Sequence, residues 1–169
     1  MRTLFFILTF LSATLSFAGK WTTVKTAEFS ISHPKNWTTE PTEDPLIRFF
    51  VKEPLESSND AFAENFNFLV QPNLDPIITL DSIISEIKGT FASQTNAEFI
   101  YAKRLKKSGM DYGQICVRMV VEGMQLRIIQ KFALVGNSMY LLTFVGEDRR
   151  YSTNYKVYDK VIESFQAFK

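Results

Sequence analysis

Residues 112–145 read YGQICVRMVVEGMQLRIIQKFALVGNSMYLLTFV, three runs rich in β-branched and aromatic residues parted by Glu122-Gly123 and Gly136-Asn137. A two-residue loop carrying glycine matches the twist of an antiparallel hairpin, so each dipeptide predicts a tight turn between strands at 112–121, 124–135 and 139–145. The turns then set the register. Val121 opposes Met124, Met119 opposes Leu126, Val117 opposes Ile128 and Ile115 opposes Gln130. Past the second turn Leu134 opposes Met139, Phe132 opposes Leu141 and Ile128 lies opposite Val145. One face of this meander is almost wholly apolar. The reverse face is mixed, with Gln114, Cys116, Arg118 and Val120, then Gln125, Arg127, Ile129 and Lys131, then Tyr140, Leu142 and Phe144. Apolar residues on both faces require cover on both, which predicts a three-layer or α+β sandwich rather than a barrel.

Working outward, 97–105 reads as another strand, and Lys103, Arg104, Lys106 and Lys107 run from it into its turn. Upstream, Leu80, Ile83, Ile84, Ile87 and Phe91 recur at helical spacing behind Thr79, a residue suited to an N-cap, with Asp81 in the first turn. Downstream, Val157, Tyr158, Val161, Ile162 and Phe165 form the apolar stripe of a second helix expected to close the chain. Asn65–Gln71 alternates Phe66, Phe68 and Val70 with Asn65, Asn67 and Leu69, and Ile47–Lys52 is a further strand. Two short strands, 21–26 and 29–33, precede a corner at Pro34, which cannot donate to a ladder. Glu53 to Glu64 is polar and reads as a long exposed loop.

The first 18 residues carry a different signal. Arg2 precedes an uncharged apolar run from Leu4 to Leu15, too short to span a bilayer, and Ser16-Phe17-Ala18 offers small residues at a cleavage site. The expectation is a signal peptide over 1–18, cleavage before Gly19, a single domain over 19–169, and a soluble exported product, periplasmic or secreted, with no transmembrane span in the mature chain. With 19 Lys+Arg against 18 Asp+Glu, bulk charge argues against nucleic acid. A single cysteine, Cys116, forbids an intramolecular disulfide, and 16 phenylalanines suit an aromatic core.

Phe29-Ser30-Ile31-Ser32-His33-Pro34-Lys35-Asn36-Trp37, a strand running into a proline corner and a tryptophan, resembles the opening signature of the PsbP-like superfamily. The helix from Thr79, the meander, the Tyr140–Phe144 strand and the terminal Val161–Phe165 segment follow in the same order. The resemblance implies an α/β/α sandwich around a central antiparallel sheet. It is similar in layout to the exported, DcrB-like branch and to PsbP and Mog. These are binding and accessory proteins without a common active site, so it implies no catalytic residue. Two departures are His33, where an aromatic residue is common, and the absence of a lipid-attachment cysteine.

No residue pattern supplies catalytic machinery. His33 and Cys116 are too few for a zinc site and are not spaced as a catalytic pair; Cys116 reads as a buried strand cysteine. Glu53, Glu56, Asp60 and Glu64 lack the glycine and ligand alternation of a calcium loop. There is no phosphate-binding glycine loop and no nucleophile elbow, and no cofactor is expected. Asn36-Trp37-Thr38 fits a glycosylation acceptor, which matters only in a eukaryotic secretory route. Two basic groups are the candidate contacts for an anion or a partner. Arg118 and Arg127 oppose each other across the first hairpin and require something anionic between them. That can be a ligand, or more commonly a protein carboxylate, with the Glu53–Glu64 loop as a source. The Lys103, Arg104, Lys106 and Lys107 cluster can dock an acidic partner or lipid headgroups, or can simply guard a solvated hairpin end. The functional expectation is a non-enzymatic extracytoplasmic binding or accessory protein with an unidentified protein or envelope partner. The alternatives are a structural or assembly subunit docked on a membrane complex and, last, a small hydrolase using two carboxylates.

Overall fold

The structure, a computed structural model, describes residues 20–58, 60 and 62–168; the leader expected at 1–18 lies outside the described residues. In chain order the elements are β1 (Trp21–Lys25), β2 (Phe29–Pro34), β3 (Thr38–Thr39), β4 (Ile47–Lys52), β5 (Asn65–Gln71), α1 (Leu80–Ala92), β6 (Ala97–Lys107), β7 (Met110–Val121), β8 (Met124–Val135), β9 (Ser138–Glu147), α2 (Asp148–Ser164) and β10 (Gln166–Ala167). They build a seven-stranded antiparallel sheet, ordered β3-β4-β5-β9-β8-β7-β6, and a three-stranded sheet, β1-β2-β10.

The meander has the register its turns dictate: Met119 pairs Leu126, Val117 pairs Ile128, Phe132 pairs Leu141 and Ile128 pairs Val145. Glu122 and Gly123 both take positive φ, 50° and 81°, as a turn matching strand twist requires, and Gly136 supplies φ 60° at the first position of the second loop. A third two-residue loop, Ser108-Gly109, joins β6 to β7. It corrects the strand ends: Lys106 and Lys107 belong to β6, not to a turn, because Lys107 pairs with Met110.

Each helix covers one face of the large sheet, the α/β/α arrangement. α1 begins as expected: the Thr79 hydroxyl accepts from the Ser82 amide at 3.1 Å while Ser82 Oγ accepts from the Thr79 amide at 2.9 Å, closing a capping box. Its stripe lies on the apolar face over Ile115, Val117 and Phe132. The Phe132 ring packs against Gly113, where a Cβ would come within 2.4 Å of it. The mixed face, covered by α2 and the small sheet, holds the larger core, with Phe29, Ile31, Phe66, Phe68, Tyr112, Phe144, Tyr158, Val161 and Phe165 all almost fully buried. Each such side chain withdrawn from water is worth about 1.5–3 kcal/mol, so this face carries most of the hydrophobic stabilisation. Phe66, Phe68, Phe29 and Phe49 from β2, β4 and β5 extend the mixed face sideways into an aromatic layer.

α2 does not close the chain. Phe165 leaves the helix with extended backbone, and β10 pairs Ala167 with Phe29 in β2. Ser164 ties α2 to the small sheet, its hydroxyl accepting from the Ser32 amide at 2.8 Å. Among the described residues no helix is long and apolar enough to cross a membrane.

Candidate functional site

The site grows from an irregularity in β6. Phe99 pairs Val117 on the α1 side, but a bulge at Ile100 puts Tyr101 opposite Cys116, and Lys103 opposite Gln114, on the α2 side. One extra residue inverts the faces that follow it. Tyr101, Lys103, Leu105 and Lys107 thereby join Gln114 of β7 and Lys131 of β8, themselves a register pair, beneath α2. Tyr151, Asp159, Ile162 and Glu163 of α2 form the opposite wall, and the open-mouthed cavity between them has a volume of about 610 Å³. That is within the range of small-ligand clefts.

Lys131 is the deepest cation, 3% exposed. Its ammonium donates to the Ile162 and Phe165 carbonyls, both at 3.1 Å, and so caps the end of α2; it also lies 4.7 Å from the Tyr112 ring centroid. Burial, together with the charge of Lys107, lowers its pKa to about 8, with Glu163 opposing. Lys107 donates to the Glu163 carbonyl at the rim, and Lys103 rests over the Tyr101 ring. Gln114 donates to the Tyr101 hydroxyl at 2.9 Å, and the Tyr151 hydroxyl donates to Asp159 at 2.7 Å. Burial pushes the hydroxyls of Tyr101 and Tyr151 above their ordinary range. Four lysines against Asp159 and Glu163 leave the lining net cationic, with tyrosine, leucine and isoleucine surfaces between the charges. Such a lining can hold an anionic group that carries some apolar body.

The basic residues singled out in the sequence divide. Lys103, Lys106 and Lys107 line this cavity, while Arg104 projects to the other face and pairs with Asp81 of α1 at 2.6 Å. Arg118 and Arg127 do oppose each other, but the compensating carboxylate is Asp148 in the first turn of α2. Arg127 grips Asp148 Oδ1 at 2.6 Å, Arg118 lies 3.2 Å from Oδ2, and Glu98, the cross-strand partner of Arg118, adds a contact at 2.9 Å. Arg127 also stacks 4.4 Å over Tyr151. The Glu53–Glu64 loop, suggested as the source of that carboxylate, serves another cation. Glu53, Glu56 and Glu64 surround Arg150, with Nη2 to Glu53 at 3.0 Å and Nε to Glu64 at 3.5 Å. Reading the whole loop as solvated is therefore corrected at its ends, since Glu64 is 1% exposed. Burial raises its carboxyl above the ordinary value, against hydrogen bonds from backbone amides and the charge of Arg150.

Cys116 is buried as expected, its thiol pushed up to about 11 by burial, with Arg127 pulling the other way. His33 is buried in the aromatic layer against Phe49, and burial lowers its pKa. Neither lines the cavity. Sequence reading missed Lys131 as a site residue. Its place in the register beside Gln114 was legible, but the bulge and the α2 terminus that enclose it were not.

No protein-family model and no curated protein matches the sequence. Solved structures do. Cyanobacterial PsbP (CyanoP) from Synechocystis sp. PCC 6803 superposes with a TM-score of 0.66 at 16% identity, covering 88% of this chain and 93% of that one. LpqN, involved in cell envelope biogenesis of Mycobacterium tuberculosis, gives 0.62 at 12% identity over 88% and 91%. The Saccharomyces cerevisiae Ran-binding protein Mog1p gives 0.56 at 8% identity over 87% and 94%. This chain therefore shares the fold of cyanobacterial PsbP, LpqN and Mog1p, the α+β fold that the resemblance at 29–37 implies.

Proposed function

We propose that the chain is an exported, non-enzymatic binding or accessory protein, made with a leader at 1–18 and acting as a single domain that holds an anionic group in the cavity under α2. The observation that carries this reading is the convergence of Lys103, Lys107 and Lys131 on one cavity with tyrosine walls, which Lys106 also borders. The burial of Cys116 and His33, the two side chains best suited to nucleophilic or acid–base work near neutral pH, away from the lining supports a binding role over a catalytic one. The arginine pair is a weaker candidate because Asp148 and Glu98 already balance it. Resemblance in fold to an envelope-biogenesis protein and to a Ran-binding protein is consistent with partner recognition.

Calorimetric titration of residues 19–169 with citrate tests the site. Saturable binding is expected in the wild type and a loss of at least roughly tenfold in affinity in Lys103→Glu/Lys107→Glu, from removing and reversing two close charges. Equal affinity in both proteins would discard it. Export is checked separately by sequencing the amino terminus of the mature product, which should begin at Gly19.

A further inference from the structure

β6 is the end strand of the large sheet and runs for 11 residues, whereas the opposite end closes on β3, only two residues long. A long end strand directs alternate backbone N–H and C=O groups outward and is a template for another strand. Ala102, Lys103, Arg104 and Lys106 are exposed along it. After the bulge its side chains alternate in kind. Lys103, Leu105 and Lys107 follow at every second position on the cavity side; Arg104 and Lys106 alternate with them by register, Arg104 reaching the other face and Lys106 bordering the cavity at its edge. The cavity thus lies beside the edge, with a cation, an apolar residue and a cation spaced along it.

Resting on the anion-binding reading of that cavity, we infer that β6 accepts an extended, acidic segment of a partner protein as an additional strand. Backbone hydrogen bonds along β6 supply the register, and side chains opposite Lys103, Leu105 and Lys107 read acidic, apolar, acidic. The carboxylate opposite Lys107 or Lys103 enters the cavity toward Lys131. Charge selects the occupant. Two copies of β6 laid edge to edge would bring Lys103, Arg104, Lys106 and Lys107 of one against those of the other, so the same cations that deter self-pairing admit an acidic strand. Arg104 is already committed to Asp81, which leaves Lys103, Lys106 and Lys107 as the discriminating charges.

The test uses two synthetic peptides with equal numbers of carboxylates. One, acetyl-Thr-Glu-Glu-Val-Thr-Glu-Thr-amide, is free to extend and places its acids opposite Lys107, Lys106 and Lys103 in antiparallel register. In the other, proline replaces the central Val-Thr and removes two backbone donors. The extendable peptide should bind at least roughly tenfold more tightly, should slow exchange of alternate amides within 102–107, and should lose both effects in Lys103→Glu and, independently, in Lys106→Glu. Both positions are exposed, so folding is not at stake. If the proline peptide binds equally well and no β6 amide gains protection, strand addition is wrong while anion binding in the cavity stands. If neither peptide nor citrate binds, the cavity reading fails and this inference fails with it.

Discussion

Lys131 and His33 are buried bases whose environments disfavour charge, and each leaves a signature in pH. For Lys131 the folded pKa, about 8, lies below the ordinary 10.5. Between those values the unfolded chain holds a proton that the folded chain has released, so this lysine's contribution to stability rises with pH. The groups acting on it are Lys107 and Lys103 from β6 and Glu163 from α2. Relative to Lys131→Met, the wild type should therefore gain about 2–3 kcal/mol between roughly pH 7.5 and 10.5 in urea denaturation; a constant difference would show that the ammonium is hydrated. His33 runs the same way at lower pH. Its Nδ1 pairs with the Pro34 carbonyl at 2.9 Å and Nε2 has no hydrogen-bond partner, so the folded state favours the neutral ring. Its stabilising share is present above pH 6.5 and is lost as pH falls through the lowered folded value. His33→Phe, which keeps an aromatic ring against Phe49, should flatten the acid side of the thermal-midpoint profile. An unchanged profile would mean that His33 titrates normally.

α2 is the element that binds the layers, and it does so by charge at its start and by apolar contact afterwards. Arg150, 9% exposed, is held by Glu53, Glu56 and Glu64, and Tyr158 donates to Glu53 at 2.7 Å. Removing one partner from a buried ionic group leaves uncompensated charge, so Arg150→Met should cost about 3–5 kcal/mol in chemical denaturation. Arg118→Ala should cost about 1 kcal/mol or less, because Arg118 is partly solvated and Arg127 still neutralises Asp148. Equal losses would show that the Arg150 cluster is no more buried in practice than the arginine pair. This contrast also marks how far the sequence could be read. β4, β5, β8, the α1 cap and the meander register were legible because local rules of alternation, turn geometry and capping act over a few residues. The turn at Ser108-Gly109 had the same kind of signal and should have extended β6 and β7. By contrast, no glycine or proline marks the bulge at Ile100, and the carboxylate that reaches the arginine pair and the acids that reach Arg150 come from other elements brought in by tertiary docking. β10 was hidden because Phe165 continues the apolar spacing of α2 although its backbone has already left the helix.

At the scale of the molecule, one sheet is covered differently on its two sides. α1 lies over the apolar face, while α2 and the small sheet seal an aromatic core on the other, leaving a cationic cavity where β6 turns its lysines beneath the end of α2. The wet, cationic end is thus held between rigid elements, which is where a binding surface gains from preorganisation. The fold shared with CyanoP, LpqN and Mog1p supplies the frame, and the chemistry belongs to side chains of this chain. The most direct measurement is an amide and lysine side-chain NMR titration of residues 19–169 with citrate. Shifts should concentrate on Tyr101, Lys103, Gln114 and Lys131 and on the α2 wall at Ile162 and Glu163, with the Lys131 ammonium among the most affected. Shifts centred on Arg118 and Arg127, or spread evenly over the surface, would contradict binding there.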